Sequence, residues 1–167
     1  LRAQVALAAA NAAGLAGMNK RWRQSSEEAV RAFGDAEATA ITRLYRADAL
    51  SALADAMMDL TAYELAEVQP VTLLDEYRAM DDVQGQASVF LRRVRMARRR
   101  EMDASASIAA ARRLLLRLDD RRSLAMLSWE EASIACDAGR LEEADEGYRI
   151  AMNLFTSVGD RPSAAMC

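Results

Sequence analysis

The sequence contains no histidine among its 167 residues. Histidine is the usual general base at neutral pH and the commonest metal ligand in proteins. Its absence excludes Ser–His–Asp triads, Cys–His pairs and histidine-ligated metal centres from this chain. There is also no glycine-rich phosphate loop, no Cys-x-x-Cys pair and no acidic calcium loop. We therefore predict a protein that is not an enzyme, with no catalytic residue, no metal site and no cofactor.

Cysteine, proline and aromatic residues are also scarce. The two cysteines, Cys136 and Cys167, predict reduced thiols in a cytoplasmic protein and not a disulfide framework. Two prolines and no alternating β-branched runs disfavour a sheet. Aromatics make up only 5 % of the chain, and much of its 52 % apolar content is alanine, which forms helix readily and adds little core volume. The composition predicts many thin, closely spaced helices and no membrane span.

The clearest helical pattern lies in residues 122–162. Two amphipathic segments, 122–138 and 141–157, flank the short turn Gly139-Arg140. Helices joined by so short a turn are expected to pack as antiparallel neighbours. In the second segment, small and large apolar residues alternate at steps of three and four, as in a helix that packs on another helix. These residues are Leu141, Ala144, Tyr148, Ala151, Leu154, Phe155 and Val158.

The same apolar pattern occurs 40 residues earlier. Six positions match in order, which indicates that one structural unit is repeated. The earlier copies are Ala104, Ile108, Ala111, Leu114, Leu115 and Leu118, which stand 40 residues before Ala144, Tyr148, Ala151, Leu154, Phe155 and Val158.

Four short junctions separate the predicted units. Each follows an apolar helical segment and places an acidic residue near the start of the next, where free backbone N–H groups favour an anion. Between the second residues of successive pairs the steps are 47, 38 and 40 residues. The pairs are Gly34-Asp35, Asp81-Asp82, Asp119-Asp120 and Gly159-Asp160.

The junctions divide the chain into units of one repeat domain, spanning residues 1–167. The units are approximately 1–34, 35–81, 82–119 and 120–159, with a partial unit at 160–167. Within the second unit, Pro70 predicts a helix boundary near Gln69, since proline inside a helix loses a hydrogen bond and clashes with the preceding turn. The chain begins without methionine and stops in an apparent new helix, so we expect a fragment of a larger protein.

Residues 122–162 resemble a tetratricopeptide repeat. The residues that carry the resemblance are Ala132, Gly139, Leu141, Ala144, Tyr148 and Ala151. The resemblance implies an all-α fold, a right-handed α-solenoid of antiparallel helical hairpins whose first helices line a concave groove. Ser128 and Glu131 depart from the family pattern, which has large apolar residues there. We expect Glu131 to tip outward or to pair with an arginine of the preceding unit.

The 40-residue spacing is similar to that of repeat arrays in bacterial regulatory proteins. Such arrays are attached to transcriptional activators of the maltose-regulator type and to signalling cyclases. By analogy, we expect a non-catalytic protein-interaction or ligand-sensing module of a larger regulatory protein. Its partner would be a protein or peptide, with an acidic peptide as one option, or a small inducer. A structural scaffold that forms homo-oligomers through exposed solenoid ends is an alternative.

Charge alternates along the chain although the net charge is only −3. The total is too near zero to indicate a nucleic-acid or membrane partner. Five basic and two acidic side chains fall in residues 1–34, and three and eleven in 35–82. Residues 83–122 contain eleven basic and four acidic side chains, and residues 123–160 contain two basic and eight acidic ones. The net charges of the four segments are therefore +3, −8, +7 and −6.

The densest charge is the arginine cluster, defined as Arg92, Arg93, Arg95, Arg98, Arg99 and Arg100. It allows two interpretations: a site for phosphate, nucleic acid or an acidic peptide, or a solvated face that pairs with the acidic units on either side. Pairing is favoured, because no aromatic residues interleave with the arginines for base stacking, and nucleic acid stays an alternative. From the family resemblance, the groove candidates are Arg92, Arg95, Arg99, Trp129 and Ser133; for Trp129, packing against the next repeat is the alternative.

Overall fold

The computed structural model describes residues 6, 8, 9, 19–34, 40–59 and 68–167. All regular structure in these residues is helical, which confirms the predicted all-α class. None of the described helices is both long and apolar enough to cross a membrane. In the described residues the helices are α1 (Asn19–Gly34), α2 (Ala40–Asp59), α3 (Val68–Ala79), α4 (Val83–Arg99), α5 (Ser105–Leu118), α6 (Arg121–Asp137), α7 (Leu141–Ser157) and α8 (Arg161–Ala164).

The chain divides into two compact units, Leu1–Asp82 and Val83–Cys167. In the first unit, α1 packs on α2 and α2 packs on α3. The rings of Phe33 and Tyr45 stack there with centroids 5.5 Å apart, beside the buried Ala29. These contacts hold α1 against α2. The junction residue Asp35 lies outside the described residues.

Pro70 lies in the first turn of α3, which begins at Val68. The residues directly before Val68 lie outside the described residues, so the boundary near Gln69 stays a prediction. Proline is tolerated in this turn because the first N–H groups of a helix have no partner within it.

In the second unit, each helix packs on the next, and α4 also contacts α6. The α4–α5 pair and α6 share one apolar core, because side chains from all three helices are buried together. Its fully or nearly fully buried members are Ala87, Val94, Ala104, Ala111, Leu115 and Leu127.

Helices α6 and α7 approach closely and run antiparallel. A Cβ atom added to Gly147 would lie 2.8 Å from the Cβ of Ala132, closer than two carbon atoms can sit without a shift. Towards the other end of the pair, Ala125 of α6 is buried in one cluster with Phe155 of α7. Rising numbers in α6 therefore meet falling numbers in α7. Glycine at position 147 sets the distance between the two helices.

Burial repeats every 40 residues between α5 and α7. Ala104 and Ala144 are buried, as are Ala111 and Ala151, and then Leu115 and Phe155. Ile108 and Tyr148 are both half-buried, and Leu118 and Val158, at the ends of the two stripes, are both exposed. The six matched positions therefore share one environment in each copy.

The junctions that lead into α6 and α8 have the same geometry. The Asp120 carboxylate accepts a hydrogen bond from the Ser123 backbone N–H at 3.0 Å, and Asp160 accepts one from that of Ser163 at 3.2 Å. The predicted acidic residue at the helix start is thus confirmed at both junctions. The residue before each cap is left-handed, with φ of 49° at Asp119 and 75° at Gly159.

Candidate functional site

A cleft of about 270 Å³ opens in the second unit among α4, α6, α7 and the C-terminal residues around α8. Its apolar lining consists of Met126, Trp129, Phe155 and Met166, and its polar lining of Arg95, Arg122, Glu130 and Ser163. We call this site the Trp129 cleft. Two of the predicted groove candidates, Arg95 and Trp129, are brought together in it.

Trp129 is held on more than one side. Its ring is tilted by 59° against that of Tyr148, with centroids 6.5 Å apart, and it packs on the buried Phe155 cluster. The guanidinium of Arg98 lies 5.3 Å from the centre of the indole ring, within the range of a cation–π contact. Trp129 therefore contributes to packing and to the lining of the cleft at once. A side chain fixed in this way loses little conformational entropy when a partner contacts it.

Glu130 is the buried charge beside the cleft, with only 3 % of its side chain exposed. Arg95 Nε donates a hydrogen bond to Glu130 Oε1 at 2.8 Å. Arg98 Nη1 lies 3.3 Å from Oε2, in ion-pair range but without hydrogen-bond geometry. A buried carboxylate is costly unless it is paired, and these two arginines compensate it.

Sequence reasoning did not single out Glu130 as a site residue. A glutamate within a helix is ordinarily solvated, so its type alone gave no signal of burial. The available signal was its partners, since Arg95 and Arg98 are three residues apart and therefore share one helix face.

Glu131 pairs with Arg112 of α5. Arg112 Nη2 donates to both carboxylate oxygens of Glu131, at 2.5 and 2.6 Å. Of the two predicted positions for Glu131, pairing with an arginine of the preceding unit is therefore confirmed. This ion pair connects α6 to α5, and that of Glu130 connects α6 to α4.

The other members of the arginine cluster lie elsewhere. Arg92 Nη1 donates to the Ser88 hydroxyl at 3.2 Å, and Arg93 lies 5.4 Å from the centre of the Phe90 ring. Arg99, the last residue of α4, is exposed. Neither Arg92 nor Arg99 lines the Trp129 cleft.

Ser133 is buried between α6 and α7 and does not line the cleft. Its hydroxyl donates to the Trp129 carbonyl oxygen at 2.9 Å, so the Tyr148 hydroxyl, 3.0 Å away, donates to Ser133. Ser133 thus holds Tyr148, which in turn contacts the Trp129 ring. Its contacts place it behind the cleft, as a support for the tryptophan.

Asp160 lies at the start of α8, next to the cleft residue Arg122. Its Oδ2 lies 3.0 Å from Arg122 Nη2. The backbone N–H of Ser163 is the main cause that lowers the pKa of the Asp160 carboxyl, and the Ser163 hydroxyl and Arg122 lower it further. The capping carboxylate thereby anchors α8 and orients a cleft arginine.

Comparisons with known proteins do not assign this site. No protein-family model matches the chain, and no curated protein is similar to it. Among the described residues, no group of three acidic or cysteine side chains is placed to hold a metal ion. The chemistry of the cleft is therefore that of its own lining: an aromatic and thioether floor beside two guanidinium groups and one carboxylate.

Proposed function

We propose that this chain is a non-catalytic binding module, an α-solenoid of tetratricopeptide type, that holds a peptide segment of a protein partner in the Trp129 cleft. The observation that carries the proposal is the placement of Trp129 with Arg95 and Arg122 in one open cleft. As in the arrays it resembles, the module would serve a larger regulatory protein. Its role would be to recognise a partner and not to transform it.

The solenoid is supported by three repeated features of the second unit. The α5 and α7 stripes share their burial, the caps at Asp120 and Asp160 are alike, and α4 contacts α6 as consecutive first helices would. In addition, Cys167 packs on the Phe155 cluster at the position 40 residues after the core residue Leu127. Repeats that contact only their neighbours produce this pattern.

The lining of the cleft suits a large apolar side chain of a peptide. Its volume is about 270 Å³, close to the lower end of the range of about 300–1,000 Å³ typical of small-molecule sites. Met126, Phe155 and Met166 supply a soft apolar floor suited to one large apolar side chain.

The charge around the cleft favours an acidic partner. Arg95, Arg98 and Arg122 carry three positive charges, whereas Glu130 and Asp160 carry two negative ones. Arg122 is the most accessible of these cations, with 69 % of its side chain exposed. We expect the partner to place an aspartate or glutamate next to its apolar anchor, where Arg122 can reach it.

Nucleic-acid binding through the arginine cluster gains less support. Arg95 and Arg98 are committed to Glu130, and that pairing would have to break before either could contact a phosphate. Breaking it would leave a buried carboxylate without compensation.

A displayed library of random peptides, selected on the immobilised protein, tests the proposal. We expect enrichment of sequences with a large apolar residue beside Asp or Glu. Binding of an enriched peptide, followed by fluorescence anisotropy, should weaken about thirtyfold in Trp129→Ala, as for an aromatic hot spot.

The matched controls are two neighbouring arginines. Arg122→Glu should weaken the enriched peptide about fivefold, while Arg121→Glu, which makes the same charge change outside the cleft lining, should leave binding unchanged. Equal losses of peptide affinity in both variants would show that the peptide is held only by general charge attraction. A library that yields no enriched sequence would overturn the proposal.

A further inference from the structure

The outward face of α5 is basic and partly apolar. The helix carries three arginines and no acidic residue. Arg113, Leu116 and Arg117 are exposed on one side of it, Leu116 to 63 %. Ala106 and Ala109, also exposed, continue this side towards the N-terminus and leave room for another helix to approach closely.

The outward face of α7 has the opposite charge. The helix carries four acidic residues and one arginine. Glu142 and Glu146 are exposed near its N-terminus, Glu146 in an ion pair with Arg149 of the same helix, and Ile150, one turn further on, is exposed to 44 %. The two helices occupy equivalent places in the repeat, yet their outward faces are complementary.

We propose that two copies of this chain pair through these faces, with α5 of each copy antiparallel to α7 of the other. Arg113 and Arg117 are four residues apart, as are Glu142 and Glu146. An antiparallel alignment can therefore set Arg113 level with Glu146 and Arg117 level with Glu142. The same alignment sets Ala109 level with Ile150, a small residue against a large one.

A second copy fits these faces because one chain carries both halves of the match. In a two-fold dimer every contact occurs twice, so a surface with a basic α5 and an acidic α7 is complementary to itself. The pairing would also cover Leu116 and Ile150, two large apolar side chains that are now in water. This interface is separate from the Trp129 cleft and does not depend on what the cleft binds.

Sedimentation velocity over a range of concentrations tests the dimer. We expect a monomer–dimer equilibrium in about 0.1 M salt that shifts to monomer in about 1 M salt, where the screening length falls from about 10 Å to about 3 Å. Arg113→Glu with Arg117→Glu, and separately Glu142→Arg with Glu146→Arg, should each weaken dimerisation about tenfold or more, since each places like charges opposite one another twice.

The decisive step is to mix the two charge-reversed proteins. Their reversed faces match again at both contacts, so the mixture should form a heterodimer at concentrations where neither protein dimerises alone. Arg121→Glu with Arg161→Glu, the same charge change outside α5 and α7, should dimerise like the original chain. A monomer at every concentration in 0.1 M salt would overturn the proposal, as would a dimer indifferent to both reversals or a mixture that fails to associate. Circular dichroism of each variant separates loss of pairing from loss of fold.

Discussion

Among the described residues, each of the two units buries a glutamate between two arginines that are three residues apart on a neighbouring helix. In the first unit, Arg46 Nη1 lies 3.0 Å and Arg43 Nη1 3.7 Å from the Glu76 carboxylate. In the second unit, Arg95 and Arg98 hold Glu130 at 2.8 and 3.3 Å. The arrangement recurs, but its surroundings differ.

The difference lies in the second contact that the arginines make. Arg46 also donates to the Phe33 carbonyl oxygen at 2.9 Å, so it ties the C-terminal end of α1 to α2 and α3. Arg98 instead lies over Trp129, and Arg95 lines the cleft. The same type of ion pair therefore connects three helices in the first unit and lines a candidate binding site in the second.

The largest loss of unfolding free energy should come from removing the ion pair that connects the helices of the first unit. Arg46→Ala takes away the closer partner of Glu76 and the bond to Phe33, and leaves Glu76 with Arg43 alone. Loss of one partner of a buried pair typically costs about 3–5 kcal/mol, and we expect a loss of unfolding free energy near the lower end. Urea unfolding followed by circular dichroism measures it. A loss of unfolding free energy below about 1 kcal/mol would show that the ion pair does not hold these helices together.

The corresponding change in the second unit should cost less. Arg95→Ala leaves Arg98 beside Glu130, and Arg95 is itself partly exposed, so we expect a loss of about 1–2 kcal/mol in unfolding free energy. The same variant should bind the enriched peptides more weakly, because it removes a cleft residue. If Arg95→Ala lowered the unfolding free energy more than Arg46→Ala does, the difference we infer between the two ion pairs would be wrong.

The second unit also depends on the close approach of α6 and α7. Gly147→Ala should lower the unfolding free energy by about 1 kcal/mol although alanine favours helix, because the new methyl group would overlap Ala132. Combining it with Ala132→Gly should recover part of the loss beyond additivity, a coupling that a double-mutant cycle measures. Two additive losses would mean that the helices adjust freely.

The smallest effects concern pH, and they have opposite signs in the two units. The pKa of Asp160 is lowered by its hydrogen bonds, so its contribution to stability is full above the unfolded pKa and is lost as the pH falls through the lower folded pKa. Partial desolvation raises the pKa of Asp48 although the residue is exposed at the surface, so its small contribution is full below the unfolded pKa and is lost as the pH rises through the folded pKa.

Single substitutions separate the two pH effects. Asp160→Asn should reduce stability at neutral pH, and its deficit should shrink as the pH falls below the usual carboxyl value of 3.8. Asp48→Asn should increase stability at neutral pH, and its advantage should shrink as the pH approaches 3.8 from above. Urea titrations between pH 3 and 7 measure both trends, and parallel curves for variant and original chain would contradict either one.

Local features of the fold were predictable from the sequence, because helix type and caps depend on neighbouring residues. The acidic caps at Asp120 and Asp160 are of this kind. The close approach at Gly147 was not, since an isolated glycine in a helix does not reveal what lies across from it. Its role depends on Ala132, fifteen residues away in another helix.

The candidate site was predictable only in part. Trp129 and Arg95 come from helices expected to line a groove, but Glu130 was missed and Ser133 lies behind the tryptophan. Residue type assigns a glutamate to the surface and does not show that Arg95 and Arg98 reach it from another helix. Long-range ion pairs need the packing of three helices before they become visible.

Both partners of Glu130 belong to α4, whereas Glu130 itself belongs to α6. If the α6–α7 pair twisted relative to the α4–α5 pair, both guanidiniums would leave the carboxylate together and an uncompensated negative charge would remain in a poorly hydrated place. These contacts therefore oppose twisting between the two helix pairs. A peptide in the cleft would meet a preformed surface, with little rearrangement of the protein on binding.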